Sequence, residues 1–394
     1  MQKTSSSTKL PSTTFSEIAA FVRELYASPE AFIPLHAPVF LGNEKKYLAE
    51  TIDSTFVSSV GAFVNRFEEM MADITGARYA VAVVNGTAAL HVALKMVGVS
   101  QNDEVLSQAL TFVATANAIS YEKAIPHFID VDADTLGLSP RALLHRLEAV
   151  AELRNGACYN RETGRRIAAC VPMHTFGLPA RIEEIVAICE RYHIPVVEDA
   201  AESLGSYVGE RHTGTFGRVG TFSFNGNKTV TCGGGGALVT NDEQVAKRAK
   251  HLTTTAKQPH RWEYVHDQIG YNYRLPNLNA ALACAQLEQL EHYLANKRAT
   301  AQRYAEFFRD VADIEWIGEP ENTRSNYWLN AIRLADRDER DRFLTYTNDA
   351  GVMTRPIWKL LNDLPMFRDC PRGDLSVARR LEDTIVNLPS SVRP

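Results

Sequence analysis

The chain has 394 residues, of which 45% are hydrophobic and 23% charged, the composition of an ordinary globular protein with a large core. A net charge of −5 and a pI near 6.2 argue against a general nucleic-acid-binding or acidic-membrane-binding surface. Six cysteines without any C-x-x-C pair indicate reduced thiols, neither a disulfide framework nor a zinc site.

The N-terminal region contains polar residues first and helical patterns afterwards. Residues 1–12 lack the apolar core of a signal peptide, and we expect them to be frayed. No run of eighteen apolar residues occurs, so we expect no membrane-spanning segment and a location in the cytoplasm. Apolar residues at helical spacing predict helices at 15–26, at about 44–55 and at 62–75.

Short apolar runs then alternate with amphipathic stretches. The runs 79–84, 104–107, 125–129, 167–171 and 195–198 are typical of strands buried on both faces of a sheet. This alternation predicts a large domain at 36–255 with a mainly parallel α/β sheet and right-handed crossovers. An N-terminal segment (1–35) precedes this domain, and a smaller α+β domain (256–394) follows it.

Candidate site residues fall where the strands end. Ligands of such sheets bind beyond the carboxyl ends of the strands, where we place Thr87, Phe112, His174, Asp199 and Ser223. Beyond the sheet, the pattern predicts a helix at 241–252, an irregular stretch at 253–276, a long helical stretch at 279–309 and a strand at 327–334.

The stretch 221–236, TFSFNGNKTVTCGGGG, places one lysine between a strand and four glycines. A glycine run indicates backbone with positive φ or a close approach of two chain segments. Lys228 is held at a strand end, a position suited to a Schiff base with a carbonyl cofactor. A solvated surface lysine is the other interpretation of Lys228 taken alone.

Asp199, 29 residues before Lys228, ends another predicted strand. Pyridoxal phosphate (PLP) requires an amine, a carboxylate that keeps its ring nitrogen protonated, and donors for its phosphate. Asp199 is suited to the carboxylate role. Taken alone, it could equally be a helix N-cap or part of a structural ion pair. The helix opening after residue 85 offers backbone N–H groups to a phosphate. Phe112 is positioned to stack on the ring, although a core role also fits it.

Four motifs occur in order: NGTAALHVAL, VVEDAA, SFNGNK with its glycine run, and GYNYRLPN. Together they resemble the DegT/DnrJ/StrS group of nucleotide-sugar aminotransferases, from about residue 33 to the C terminus. The resemblance implies the aspartate-aminotransferase fold (PLP fold type I), bound PLP and a homodimer with shared active sites.

The resemblance also assigns roles to individual residues. Lys228 is implied as the Schiff-base lysine and general acid/base, Asp199 as the partner of the ring nitrogen, and Phe112 as the stacking aromatic residue. The implied phosphate ligands are Gly86, Thr87, Ala88 and Ser223, with Asn272 reaching the phosphate in the neighbouring subunit.

Two positions depart from the usual pattern of the family. Asn225 replaces a histidine, and Glu202 replaces a glutamine that contacts the phenolic oxygen of the cofactor. A carboxylate beside a phenolate is unfavourable unless one of them holds a proton. Both departures resemble the branch that acts in legionaminic acid and bacillosamine synthesis. That branch implies amination at C4 of a UDP-4-keto-6-deoxy-N-acetylhexosamine with L-glutamate as donor, for surface glycan synthesis.

Other functions remain open at this point. A 3-aminotransferase acting on a dTDP-keto sugar fits the same motifs, as does a non-catalytic PLP-binding sensor. Lys228 argues against the sugar dehydratases, which carry histidine there, and no strand precedes a G-x-G-x-x-G that would indicate a nicotinamide enzyme. Arg355, Trp358 and Lys359 lie where the family approaches its substrate, and surface or packing roles fit them equally.

Overall fold

The structure is a computed structural model and describes residues 10 and 12–393. Its helices carry apolar residues on one face, and side chains of Asn85, Ser139, Asp242 and Asp336 cap four of them at their N termini. The α-helices are α1 (Ser12–Leu25), α2 (Glu44–Asp53), α3 (Ala62–Thr75), α4 (Gly86–Met96), α5 (Val113–Tyr121), α6 (Pro140–Val150), α7 (Ile182–Arg191), α8 (Glu243–Thr253), α9 (Asn277–Leu287), α10 (Leu290–Arg309), α11 (Arg337–Asp349) and α12 (Ser376–Thr384).

The strands form where apolar, β-branched runs are bounded by polar turns. They are β1 (Tyr79–Val83), β2 (Glu104–Gln108), β3 (Ile125–Ile129), β4 (Ala151–Arg154), β5 (Ala157–Asn160), β6 (Ile167–Val171), β7 (Val197–Asp199), β8 (Tyr207–Val208), β9 (Arg211–His212), β10 (Val219–Ser223), β11 (Gly236–Thr240), β12 (Glu315–Trp316), β13 (Thr323–Arg324), β14 (Asn330–Arg333), β15 (Arg355–Pro356) and β16 (Ile385–Leu388).

The main sheet has the strand order β3-β2-β6-β7-β10-β11-β1. Parallel bridges at Cys170–Val196 and Met173–Asp199 join its two halves between β6 and β7. Strand β11 runs antiparallel to both of its neighbours, whereas β2 with β3, β2 with β6, and β7 with β10 are parallel. The prediction of a mainly parallel α/β sheet is confirmed.

Both faces of this sheet are covered by helices. Along β11, Ala237 and Val239 join a core cluster with α3 and α9. Leu238, between them, points to the opposite face and joins a cluster with α4 and α8. This alternation follows from the period of two along a strand, and it explains why the strand sequences are apolar throughout.

A smaller antiparallel sheet, in the order β12-β14-β16-β15, forms with α10 and α11 a second layer of the molecule. Helix α1 packs there, with Phe15 and Phe343 ring centroids 5.3 Å apart. Helix α9, which lies beyond residue 255, packs against α2 and α3. The domain limits at 35 and 255 stay predictions.

The helical stretch expected at 279–309 occurs as two helices, α9 and α10, with a break at residues 288–289. Glu288 at the break accepts hydrogen bonds from Tyr47, Asn43 and Arg66, which hold the turn against α2 and α3. Apolar spacing continues across the break, with Leu287 and Leu290 both buried, so periodicity alone could not reveal it. Most of the stretch 1–12 lies outside the described residues. No helix among the described residues is long and apolar enough to cross a membrane.

Candidate active site

A cavity of about 370 Å³ opens beyond the carboxyl ends of β1, β2, β7 and β10. The sheet register places these ends together, since Thr221 of β10 lies opposite Asp199 of β7. The lining residues are Asn85, Gly86, Thr87, Leu90, Phe112, Ala114, Met173, Asp199, Ala201, Glu202, Ser223, Asn225, Asn227, Lys228, Trp328 and Trp358. Seven of the nine residues predicted for catalysis or cofactor binding are therefore brought to one cavity, together with Trp358 from the predicted substrate approach.

Lys228 points into this cavity, which disfavours the interpretation as a solvated surface lysine. Its side chain is only 14% exposed, and its Nζ lies 3.3 Å from Glu202 Oε1. The same Nζ lies 3.9 Å from the ring centroid of Trp328. A turn closed by a hydrogen bond from the Lys228 N–H to the Asn225 carbonyl sets this direction.

Asp199 is a buried carboxylate with neutral hydrogen-bond donors. Thr115 Oγ1 donates to one oxygen at 2.8 Å, and the N–H of Ala201 donates to the other at 3.2 Å. Burial raises the pKa of Asp199, and none of the ion pairs among the described residues includes it. A cationic ring nitrogen placed in the cavity would supply the missing partner, so the carboxylate fits the pyridinium of PLP.

Glu202 is buried beside Lys228. Its Oε2 accepts the N–H of Phe176 at 2.9 Å, and its Oε1 accepts from Lys228 Nζ. Burial raises the pKa of Glu202 to about 7, although Lys228 opposes this shift. Near neutral pH the carboxyl group can therefore hold the proton that a contact with a phenolic oxygen requires.

Gly86 and Thr87 line the cavity from the first turn of α4, where the phosphate site is predicted. A Cβ on Gly86 would lie 2.8 Å from the Cβ of Ser223, so glycine brings this turn next to the Ser223 hydroxyl. Asn85 caps the helix by accepting the N–H of Ala88 at 2.8 Å. Ala88 does not line the cavity, and its predicted role as a phosphate ligand would require this bond to open. The helix N terminus is the favourable end for a phosphate.

Aromatic rings form one wall of the cavity. Phe112 is 50% exposed, and its ring centroid lies 6.3 Å from that of Trp358. The ring centroid of Phe176 lies 5.1 Å from that of Trp358. An exposed phenylalanine at a strand end argues against the core role that the sequence left open, and it leaves the ring free to cover a cofactor.

Four other candidates lie elsewhere. His174 is buried, where its Nε2 contacts Glu198 Oε2 at 3.0 Å and its Nδ1 accepts the N–H of Ala180. Lys359 pairs with the buried Glu382, and Arg355 bonds to Asn348 and Thr354. Asn272 is exposed and does not line this cavity, so its role toward a neighbouring subunit stays a prediction.

Sequence reasoning did not find Trp328 or Asn227. The indole Nε1 of Trp328 donates to the carbonyl oxygen of Asn227 at 2.7 Å, next to Lys228. Trp328 follows Lys228 by a hundred residues and lies in a turn before β14, so no local pattern marks it. Only the adjacency of Asn227 to Lys228 in SFNGNK carried a signal.

Comparison with known proteins identifies the family. A sequence model of the DegT/DnrJ/EryC1/StrS aminotransferase family matches residues 41–393. The chain belongs to this family. The predicted family, PLP dependence and aminotransferase class are therefore confirmed. 

Individual relatives agree along nearly the whole chain. The putative pyridoxal phosphate-dependent aminotransferase EpsN of Bacillus subtilis is 39% identical over 88% of this chain and 84% of its own length. GDP-perosamine synthase of Escherichia coli O157:H7 is 34% identical over 91% of this chain and 93% of its own. The crystal structure of a DegT DnrJ EryC1 StrS aminotransferase from Brucella abortus superimposes with a TM-score of 0.79, at 27% identity, over 88% of this chain and 90% of that one. These similarities confirm the fold of the PLP aminotransferases.

Proposed function

We propose that this aminotransferase moves an amino group from L-glutamate to C4 of a nucleotide-linked 4-keto-6-deoxy sugar, for surface glycan synthesis. The observation that carries the proposal is the convergence of Lys228, Asp199 and Glu202 on one cavity at the carboxyl edge of the sheet. The proposed acceptor is UDP-4-keto-6-deoxy-N-acetylhexosamine. Asn225 and Glu202 support that choice, since both resemble the branch that acts on such sugars.

Each residue of the site has a distinct task in this proposal. PLP, when bound, supplies an aldehyde for amines and a ring that accepts electrons. The amine of Lys228 would hold it covalently, and Asp199 would keep its ring nitrogen protonated. Gly86, Thr87 and Ser223 would bind its phosphate at the start of α4, with Phe112 covering its ring.

Lys228 Nζ is the proposed acid and base of both half-reactions. In the first half it would take the proton from Cα of glutamate and pass it to the aldehyde carbon of the bound cofactor; water then releases 2-oxoglutarate, and the amino group stays on the cofactor until the sugar enters. In the second half it returns a proton to C4 of the sugar. Glu202, 3.3 Å away, keeps the free amine within the cavity between these steps.

The assembled enzyme is proposed to be a cytoplasmic homodimer with two shared sites. Asn272 is exposed on a segment that β1 holds in place, since Val83 bridges to Arg274. In the proposal, Asn272 reaches the phosphate bound in the neighbouring subunit. The exposed position, away from its own cavity, supports that role.

A GDP-linked acceptor is the second candidate. Three relatives named GDP-perosamine synthase are 34%, 32% and 32% identical to this chain over 91% of its length. That name states a GDP-linked product for those proteins. The nucleotide is therefore the part of the proposal that the experiment must decide.

The test is incubation of the purified protein with glutamate and UDP-, GDP- or dTDP-linked keto sugars. Mass spectrometry of the products, with NMR of the aminated carbon, should reveal a 4-amino sugar with the UDP-linked substrate turned over most efficiently. Preference for the GDP-linked sugar would establish the second candidate. Amination at C3 would overturn the proposal, and a yellow protein that glutamate does not bleach would be a sensor.

A further inference from the structure

Two residues outside the predicted catalytic set surround the amine of Lys228 in two steps. Trp328 contacts the amine, and Lys297 contacts the turn that carries Trp328. The ring of Trp328 lies 3.9 Å from Lys228 Nζ. An ammonium group over an indole face is attracted by the negative potential of the ring, most strongly where water is excluded. Trp328 is 5% exposed and the Lys228 side chain 14% exposed, so little of this contact is open to bulk solvent.

Hydrogen bonds fix the indole ring in position. Its Nε1 donates to the carbonyl of Asn227 at 2.7 Å, and the main-chain N–H of Trp328 donates to Asn326 Oδ1 at 2.8 Å. The turn that carries the ring includes Tyr327, whose φ of 46° lies in the left-handed region that disfavours bulky residues. The surrounding contacts must therefore hold this turn.

Lys297, on α10, supplies such contacts. It is 1% exposed, and its Nζ donates to the carbonyl oxygens of Trp328 at 3.1 Å, Tyr327 at 3.4 Å and Ser390 at 2.5 Å. Burial lowers the pKa of Lys297 to about 7, and no carboxylate is paired with it among the described residues. Burying an amine without a counter-ion costs free energy, and its hydrogen bonds to three carbonyl oxygens offset that cost. Two of these carbonyls belong to Tyr327 and Trp328, so Lys297 holds the turn in place.

We propose that the indole face of Trp328 is the resting place of the free Lys228 amine and that Lys297 is a positioning residue for this face. The inference rests on the proposed function, in which Lys228 is bonded to the cofactor at one stage and free at another. Whenever the amine is free, it contacts both the ring of Trp328 and the carboxyl group of Glu202 within the cavity. It then remains where it can take or return the proton.

The first test uses the cofactor-free protein and needs no turnover. The rate at which acetic anhydride acetylates Lys228 is followed by peptide mass spectrometry in wild type, Trp328→Leu and Trp328→Phe. Acylation requires a free, uncharged amine, so loss of the ring face should raise the rate in Trp328→Leu by roughly threefold to tenfold. Trp328→Phe keeps a π-face and should lie between the two. A rate in Trp328→Leu within twofold of wild type would overturn the resting place.

The second test addresses the positioning role. Lys297→Met should raise the Lys228 acetylation rate toward that of Trp328→Leu, whereas Lys250→Met, at a lysine of α8 that pairs with Glu68 and does not line the cavity, should not. If Lys297→Met does not fold, as judged by circular dichroism, Lys297→Arg is measured instead, since a longer side chain must displace the turn. A wild-type rate in the folded variant would refute the role of Lys297.

A control separates this inference from the proposed function. Wild type and each variant are loaded with PLP, reduced with borohydride and mapped for the pyridoxyl label. A label on a lysine other than Lys228 would refute the proposed function. A label on Lys228 together with unchanged acetylation rates would refute the inference alone.

Discussion

At the scale of single residues, the carboxyl group of Glu202, which contacts Lys228, can gain or lose its proton near neutral pH. Burial raises the pKa of Glu202 from 4.5 to about 7, so the folded protein binds a proton there that the unfolded chain releases. The contribution of this proton to the free energy of unfolding is fully present below pH 4.5 and is lost as the pH rises through 7.

The corresponding prediction compares the cofactor-free wild type with Glu202→Gln, which keeps the shape of a protonated carboxyl group. Between pH 5 and pH 8 the unfolding free energy of wild type should fall relative to the variant by about 2.5 kcal/mol. Urea unfolding at each pH measures both proteins. Parallel pH profiles would mean that Glu202 titrates at an ordinary value.

Asp199 gives a second prediction at this scale. Asp199→Asn keeps the hydrogen-bonding shape and removes the charge that would hold the ring nitrogen protonated. The protein should remain yellow with PLP, while both half-reactions slow by orders of magnitude. Stopped-flow absorbance with glutamate measures the first half-reaction. Asp130→Asn, at a buried carboxylate that caps α12, is the matched control, and near-normal rates in Asp199→Asn would refute the assignment.

Lys228→Ala separates binding from chemistry. The phosphate and ring contacts do not involve the lysine amine, so the variant should still bind PLP, but without a covalent bond. Both half-reactions should be lost together, because one amine serves both. Borohydride reduction and peptide mapping should label Lys228 in wild type and no residue in the variant. Lys95→Ala, at a lysine paired with Glu122, should keep the wild-type label.

Residues at strand ends could be predicted from the sequence, because a parallel sheet gathers those ends at one edge. Lys228, Asp199 and Phe112 follow this rule. His174 also ends a strand, yet its ring contacts Glu198 instead of the cavity, since both of its nitrogens find partners in the interior. Trp328 comes from the second layer of the molecule, and no local pattern could place it.

At the scale of elements, the glycine run that leads into β11 shapes the turn at the start of α4, where the phosphate site is predicted. Gly233 has a φ of 79°, and a Cβ on Gly236 would lie 2.4 Å from the Asn85 carbonyl oxygen and 2.8 Å from the Gly86 nitrogen. Strand β11 therefore lies directly against the turn that opens α4. The sequence predicted a close approach or a positive φ for this run, and both occur.

Gly236→Ala tests that contact. The added methyl group must displace the turn at residues 85–86, so PLP retention should weaken at least tenfold, because the displaced groups are the proposed phosphate donors. Gly234→Ala is the matched control two residues away, where a Cβ would meet only the Val84 carbonyl oxygen at 3.8 Å. Equilibrium dialysis of PLP measures both variants. Equal dissociation constants would show that the approach of β11 does not govern the site.

Other features of the elements escaped prediction for identifiable reasons. The antiparallel direction of β11 leaves no mark on a strand that is buried on both faces. The hairpin of β4 and β5 was not predicted, although its turn, Asn155 and Gly156 with φ of 50° and 78°, is a strong hairpin signal. The break between α9 and α10 depends on tertiary contacts of Glu288.

At the scale of the whole molecule, many large apolar side chains are exposed. Those of 50% exposure or more include Phe32, Phe40, Leu41, Ile52, Phe56, Val60, Trp262, Tyr264 and Ile269. Large exposed apolar groups in such number favour an interface with another chain. They support the proposed homodimer, and we expect the segments around residues 40–60 and 262–269 to contact the second copy.

The shared site makes a prediction that depends on this assembly. If Asn272 donates to the phosphate held by the neighbouring subunit, Asn272→Ala should weaken PLP retention by about 1–3 kcal/mol, the usual effect of one lost hydrogen bond to a charged group. Light scattering should still find a dimer, because one polar side chain contributes little to an apolar interface. Gln244→Ala, an exposed residue on α8, is the matched control and should retain PLP as wild type does. A wild-type protein that is monomeric and fully active would refute the shared site, since no second subunit would then be present to supply Asn272.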